Sequence, residues 1–327
     1  MNRIESEIET FRQYLDQTSV GKLQCEKLCR DVMQLIPPVV KRELPPNKES
    51  GLTLMAVTHG NEVGGIAVLN QLLELIDSGL IVLNYPLTIG LGNTEASLLD
   101  KRFVERDLNR SFMRQQSDSL EDRRARELEP VLQKTAFFVD IHQTIEASST
   151  PFLIFPYLPS SFEFARQIAP DLPIVTHWGG GFSKDGACTD EFVNKTGGVG
   201  LTIELGQKGF ANYQEGVGLR AMLRALMVVD QRLAGQTWQV AEESAEIYTW
   251  AEVIPYPEGE AGLDEGWYNF KRVEKGQRLG FAQGQDILAG TSGPILFPKY
   301  PQSPEEPRPK EICRIMKRVT IDQLGKT

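Results

Sequence analysis

The sequence predicts an α/β fold: a mostly parallel mixed sheet with helices on both faces, followed by a small β-rich C-terminal domain. Three observations predict it. Between residues 52 and 234, short apolar runs alternate with longer segments of helical spacing, the rhythm of repeated strand and helix units. The runs are apolar throughout, as strands covered on both faces must be. From about residue 240 the texture changes to short alternating segments separated by Gly and Pro, with no long helix.

Taken in order, residues 5–36 carry helical periodicity that runs into PPVVKRELPPNKES, whose prolines and charges mark loop or edge strand. LTLMAV (52–57) reads as a buried strand and GGIAVLNQLLELIDSG (64–79) as a helix closed by a Gly stop signal. The pattern repeats with YPLTIGLGN (85–93) as strand, SLEDRRARELEPVLQK (119–134) as helix and AFFVDIH (136–142) as strand. PFLIFP (151–156), the helical SSFEFARQIA, the strands LPIVTH (172–177) and GVGLTIELG (198–206), and a helix over 214–234 complete the first unit. EIYTWAEVIPY, GWYNFKRV and GPILFP then supply short strands, which divides the chain into an α/β domain at 1–237 and a β-rich domain at 238–327. PQSPEEPRPK (301–310) reads as a polar proline-rich loop.

A chain of 327 residues with a formal charge of -9 argues against a nucleic-acid or anionic-membrane surface, because long-range repulsion opposes both. Any anionic ligand must then be held by local cations. Cys25, Cys29, Cys188 and Cys313 are scattered, giving neither a disulfide framework nor a paired zinc site, and are read as reduced packing residues. No apolar stretch reaches the roughly 18 residues of a membrane span, and MNRIESEIETFRQYLDQ is too charged for a signal peptide. The expected location is the cytoplasm; oligomeric state has no signature here.

Three features fall at expected strand exits, where open α/β sheets bind ligands. His59 and Glu62 follow the first core strand, His142 ends FFVDIH, and Glu204 lies in LTIELG. A catalytic zinc takes three protein ligands from imidazole and carboxylate and keeps one position open, and two His with one Glu supply that set. His59 alone reads equally as a capped loop residue; the conjunction of two of the chain's three histidines at one end of one sheet points to a metal. Asp140, beside His142, could orient that imidazole if both side chains share a face. Glu204 is a carboxylate inside an apolar strand, where an unpaired charge is costly. Either it is paired to a cation for structure or it is poised by burial as a general base. KRFVERDLNRSF (101–112) reads as a solvated loop or as a grip on a carboxylate, with Asn109 and Arg110 adjacent between Leu108 and Phe112.

These residues resemble the succinylglutamate desuccinylase and aspartoacylase family, a branch of the zinc carboxypeptidase fold. THGNE, RxxxxDLNR, RARELE, DIH, IELG and LFP occur in the family's order along essentially the whole chain. The resemblance, nearest to the bacterial desuccinylases, implies one zinc per chain held by His59, Glu62 and His142, with Glu204 as catalytic acid and base. It implies Arg102 as the arginine that polarises the scissile carbonyl, and Asn109 with Arg110 as the pair that binds the substrate carboxylate. Tyr300, following LFP, is a substrate contact by looser analogy. Two departures concern the substrate: the family's arginine about ten residues before the catalytic Glu is Asn194 here, with Lys195 beside it as a point-charge substitute. Glu146 stands where desuccinylases carry an arginine after DIH. His177 and the glycine-rich HWGGGFSKDG (177–186) read as packing or as part of a loop over the site. The expected function is zinc-dependent hydrolysis of the amide of an N-acyl amino acid, N-succinyl-glutamate first. The alternatives are deacylation of another N-acyl amino acid and a non-catalytic metal- or ligand-binding relative.

Overall fold

The computed structural model describes residues 2–114, 118–178, 186–236, 246–300 and 309–326. The expected 237/238 boundary, most of HWGGGFSKDG and most of PQSPEEPRPK lie outside them. A first helix spans Arg3–Leu15, opened by a capping box in which the Asn2 side chain accepts from Glu5 N and the Glu5 carboxylate from Asn2 N.

That helix does not run on to residue 36 as its periodicity predicts. Strands Ser19–Val20, Leu23–Cys29 and Val32–Ile36 follow as an antiparallel meander. Gly21 and Asp31 adopt left-handed backbone (φ 58° and 53°), which breaks any helix and turns the chain back on itself. The Asp31 carboxylate is fixed there by Arg12 at 2.8 Å and Thr94 at 2.7 Å. The buried Leu23, Val32, Met33 and Leu35 are buried from strands.

The remaining core follows the apolar runs. Strand Ser50–Ala56 is buried along its whole length and pairs in parallel with Leu87–Leu91 on one side and Thr135–Thr144 on the other. Val199–Gln207 lies parallel to Thr135–Thr144, and Phe152–Pro156 runs antiparallel to it. Ile174–His177 then joins in parallel, followed by Ile247–Pro255, and Glu311–Val319 pairs antiparallel to the last. The sheet is thus mixed, parallel at its centre and antiparallel towards both ends. The β-rich C-terminal part continues it and adds a small sheet of Ala261–Leu263, Arg278–Ala282 and Gln285–Leu288 around Trp267 and Leu279.

Strand alternation sorts the two faces. Phe137, Val139, Ile141, Leu201, Ile203 and Leu205 pack under helices Gly64–Asp77, Pro159–Ile168 and Asn212–Leu233. Phe138 and Met55 face the other way, towards helix Leu120–Gln133 and helix Thr189–Lys195. Asp140, His142 and Glu204 share the parity of Phe138 and project on that second face. Helices Thr94–Leu98 and Thr189–Lys195 and the 3-10 turn Leu108–Arg110 are too short for periodicity to reveal. No helix among the described residues is long and apolar enough to cross a membrane.

Candidate active site

The strand Ser50–Ala56 ends in a sharp turn. Val57, fully buried and β-branched, holds φ at 52°, a costly backbone state of the kind that collects at functional sites. The turn delivers His59 and Glu62 before helix Gly64–Asp77 begins, and Gly65 lets that helix sit close on the sheet. A Cβ there would lie 2.7 Å from the Ala56 side chain. His142 arrives from the neighbouring strand.

The three candidate ligands meet in a buried cluster, with ligand atoms within 4.8 Å of one another. His59 Nδ1 and His142 Nδ1 face each other at 3.1 Å, and each lies 2.8 Å from an oxygen of Glu62. Two imidazole nitrogens and a carboxylate converging on one point fit a zinc ion, and both rings present the same atom inward. The outward nitrogens are also provided for: His142 Nε2 lies 2.9 Å from Asp140, and His59 Nε2 lies 3.0 Å from Asp107. Carboxylates behind ligand imidazoles fix tautomer and orientation. Burial opposes charge on His142, yet Asp140 and Glu62 pull its titration well above the ordinary range; of the two, Glu62 lies where it would share a divalent cation with the ring. Burial likewise raises the Asp107 carboxyl, but His59 and Arg102 hold it well below the carboxylate range.

Glu204 sits opposite His142 in the parallel register. Its Oε2 is buried without a hydrogen-bond partner, and burial together with the neighbouring Glu62 charge pushes its pKa up to about 8. A carboxyl in that condition can exchange a proton near neutral pH, and among the described residues no cation forms an ion pair with it. Arg102 donates to Glu62 at 3.1 Å and to Asp107 at 3.3 Å, and its Nη2 lies 2.7 Å from His59 Nε2. A third of its side chain is exposed, so the guanidinium reaches solvent at the edge of the buried cluster.

The other expected site residues divide. The buried Asn109 accepts from Thr189 N at 3.0 Å, and Arg110 donates to the Asn109 carbonyl at 2.6 Å and lies 2.9 Å from Cys188 Sγ. The Thr189 hydroxyl also donates to Asp140 at 2.5 Å, so the DLNR loop is joined to the His142 strand through this one residue. Lys195 is not brought to the cluster. It is exposed at the C-terminal end of its helix, and the Asn194 side chain brackets Gly200, accepting from its N at 2.7 Å. Gly200 pairs with Phe138, four residues and about 13 Å down the strand from His142. Tyr300 is held inside the C-terminal part, where its hydroxyl accepts from Trp267 N and donates to the Asp264 carbonyl, both at 2.9 Å. His177 stacks on Trp250 at 6.0 Å.

Sequence reasoning missed Asp107, Thr58 and Thr189. Asp107 was within reach as the first residue of DLNR. Thr58, which donates to both Asp140 oxygens at 2.9 Å, and Thr189 become visible only through contacts distant in sequence.

Residues 49–229 match the family model described as succinylglutamate desuccinylase/aspartoacylase catalytic domain. A probable aspartoacylase of Synechococcus sp. (strain CC9605) is 33% identical over 205 residues, covering 56% of this chain and 64% of that protein. A succinylglutamate desuccinylase of Serratia proteamaculans (strain 568) is 33% identical over 178 residues, 50% of this chain and 53% of the relative. The aligned part therefore spans only half to two-thirds of those relatives' length. A solved structure of a succinylglutamate desuccinylase from Vibrio parahaemolyticus superposes with a TM-score of 0.71 at 17% identity, covering 95% of each chain. At that identity the likeness is one of fold.

Proposed function

Because the chain belongs to the succinylglutamate desuccinylase/aspartoacylase family, we propose that it is a zinc-dependent hydrolase that cleaves the amide of an N-acyl amino acid. N-succinyl-glutamate is the first substrate of this reading. The observation that carries it is the pairing of the His59, Glu62, His142 cluster with a buried, unbonded Glu204 oxygen on the adjacent strand.

In this reading His59, Glu62 and His142 hold the zinc, with Asp107 and Asp140 orienting the two imidazoles. Zinc, when bound, acidifies water and polarises an acyl oxygen. Glu204 takes the proton from the attacking water and delivers it to the departing nitrogen, which requires a carboxyl that titrates near neutrality. Arg102 turns its fork towards the oxygen on which negative charge develops. Asn109 and Arg110 position the amino-acid carboxylate, and the Asn109 to Thr189 to Asp140 chain ties that grip to the ligand strand. Residues 1–237 carry the chemistry, and residues 238–327 form a second, β-rich domain. The reading sets the protein's compartment as the cytoplasm and its partner as a small molecule.

The test joins metal analysis to turnover. Purified protein is assayed on N-succinyl-glutamate, N-acetyl-aspartate and related amides before chelation, after it, and after zinc is restored. One zinc per chain and activity that leaves and returns with it are expected. Undetectable turnover of every amide by the zinc-loaded protein would overturn the reading.

A further inference from the structure

The two arginines that the family resemblance places around the substrate are absent, Asn194 being bonded to Gly200 and Glu146 standing after DIH. A cation from a different part of the chain stands at this cleft. Asn269, fully buried, donates to the carbonyls of Glu146 (3.2 Å) and Ala147 (3.0 Å), and its own oxygen accepts from Phe297 N at 2.7 Å. One side chain thus staples the segment leaving the His142 strand to the segment leaving strand Gly293–Leu296. Phe297 holds φ at 51°, a strained state for an aromatic residue, and this kink directs the next residues. Tyr300 is pinned to Trp267 beyond it. Lys299 lies between these two anchors, half-buried, with its ammonium 5.4 Å over the Phe297 ring.

Lys299 lies within electrostatic reach of Arg102, Glu204, Glu62, Glu146 and Glu311. Among the described residues its ammonium makes no hydrogen bond or ion pair. Burial and the like charge of Arg102 lower its pKa to about 8. The Arg102 charge is already met by Glu62 and Asp107, whereas the Lys299 ammonium keeps its donors open to an anion lodged beside the cluster. Among the described residues Glu146 and Lys299 form no ion pair, although the Lys299 charge acts on the Glu146 carboxyl.

We propose that Lys299 is a specificity residue that binds a second carboxylate of the substrate, on the side of the amide away from Asn109 and Arg110. The substrate class is then an amide with an anion on both its acyl and its amino-acid part. This rests on the hydrolase reading above and adds a residue and a selection rule to it.

The test compares N-succinyl-glutamate with N-butyryl-glutamate, which has a methyl group where the acyl carboxylate would be, in wild type, Lys299→Met and Lys299→Arg. Both substrates are measured on the same folded, zinc-quantified sample, so the ratio of their kcat/KM values cancels any loss of active protein. In Lys299→Met the preference for the succinyl compound falls about 10- to 100-fold, the size of one charge-assisted hydrogen bond. Lys299→Arg keeps most of it. An unchanged ratio in Lys299→Met overturns the proposal while leaving the hydrolase reading standing. Titration of succinate into wild type and Lys299→Met serves if neither amide is turned over: affinity weakened tenfold in the variant upholds the anion site although the hydrolase reading fails, and equal or absent binding in both overturns the site.

Discussion

The two ends of one strand pair, Thr135–Thr144 and Val199–Gln207, are built on opposite rules. At the start of the pair the polar groups find short-range partners: Thr135 bonds Thr53 at 2.6 Å, and Asn194 satisfies both the N–H and the carbonyl of Gly200. At the other end, four residues further on, the same sheet crowds Asp140, His142, Glu62 and Glu204 into buried space and leaves a Glu204 oxygen unbonded. Folding alone favours the first arrangement, since an unsatisfied buried carboxyl is costly. The difference teaches that the rest of the fold supports a strained end, with Val57 at positive φ as part of the same cost.

The largest effect is expected at the strained end itself. His59→Ala or His142→Ala removes one of three ligands, so metal binding and turnover are lost together while the circular dichroism spectrum stays near wild type. Full zinc retained by both variants would break the contrast at its root. Next comes Arg102→Lys, which keeps charge but loses the fork that meets Glu62 and Asp107. Turnover is expected to fall about 10²-fold or more, with zinc content little changed; steady-state kinetics per bound zinc checks this.

Asp190 sharpens the comparison because it lies between the two ends, its backbone against Gly200 and its carboxyl within reach of Asp140 and His142. Burial, with the neighbouring Glu191 charge, raises its pKa from 3.8 to about 7. The folded state therefore holds this proton more tightly than the unfolded chain, and the associated stability is full below pH about 4 and lost as pH rises through about 7. Asp190→Asn is expected to be more stable than wild type by about 2–3 kcal/mol at pH 8, with the gap closing at pH 4. Denaturation midpoints at the two pH values measure it; a gap that does not depend on pH removes the buried carboxyl as its cause. The smallest effect belongs to the satisfied end. Asn194→Ala orphans the Gly200 groups and should cost about 1–2 kcal/mol of stability without altering kcat per zinc, whereas a selective loss of turnover would make Asn194 part of the site.

Much of this contrast is legible in the sequence. Runs such as LTLMAV and AFFVDIH read as strands because burial on both faces leaves them no polar positions, and Glu204 stands out because nothing else in its strand is charged. The gathering of His59, Glu62 and His142 follows from strand exits falling on one edge of a parallel sheet. The hairpins at 19–36 are not legible that way, since the periodicity of the first helix is carried on through them and the turns at Gly21 and Asp31 show only in the backbone. Lys195 was read as a neighbour of Glu204 by family spacing, but its short helix runs antiparallel to the strand and carries it to the opposite end. Thr189 reaches Asp140 through a contact 49 residues away, which no local pattern encodes, whereas Asp107, 48 residues from His59, is marked locally only as the first residue of DLNR.

The central claim is that Glu204 is buried and unbonded in order to move a proton. Glu204→Gln keeps the shape and removes the proton-accepting group, so kcat per bound zinc and the denaturation midpoint, measured on the same sample, test it directly. The account predicts kcat lower by about 10² to 10⁴-fold with zinc content retained and the midpoint unchanged or raised. A variant that is destabilised yet turns over substrate near the wild-type rate per zinc would contradict it.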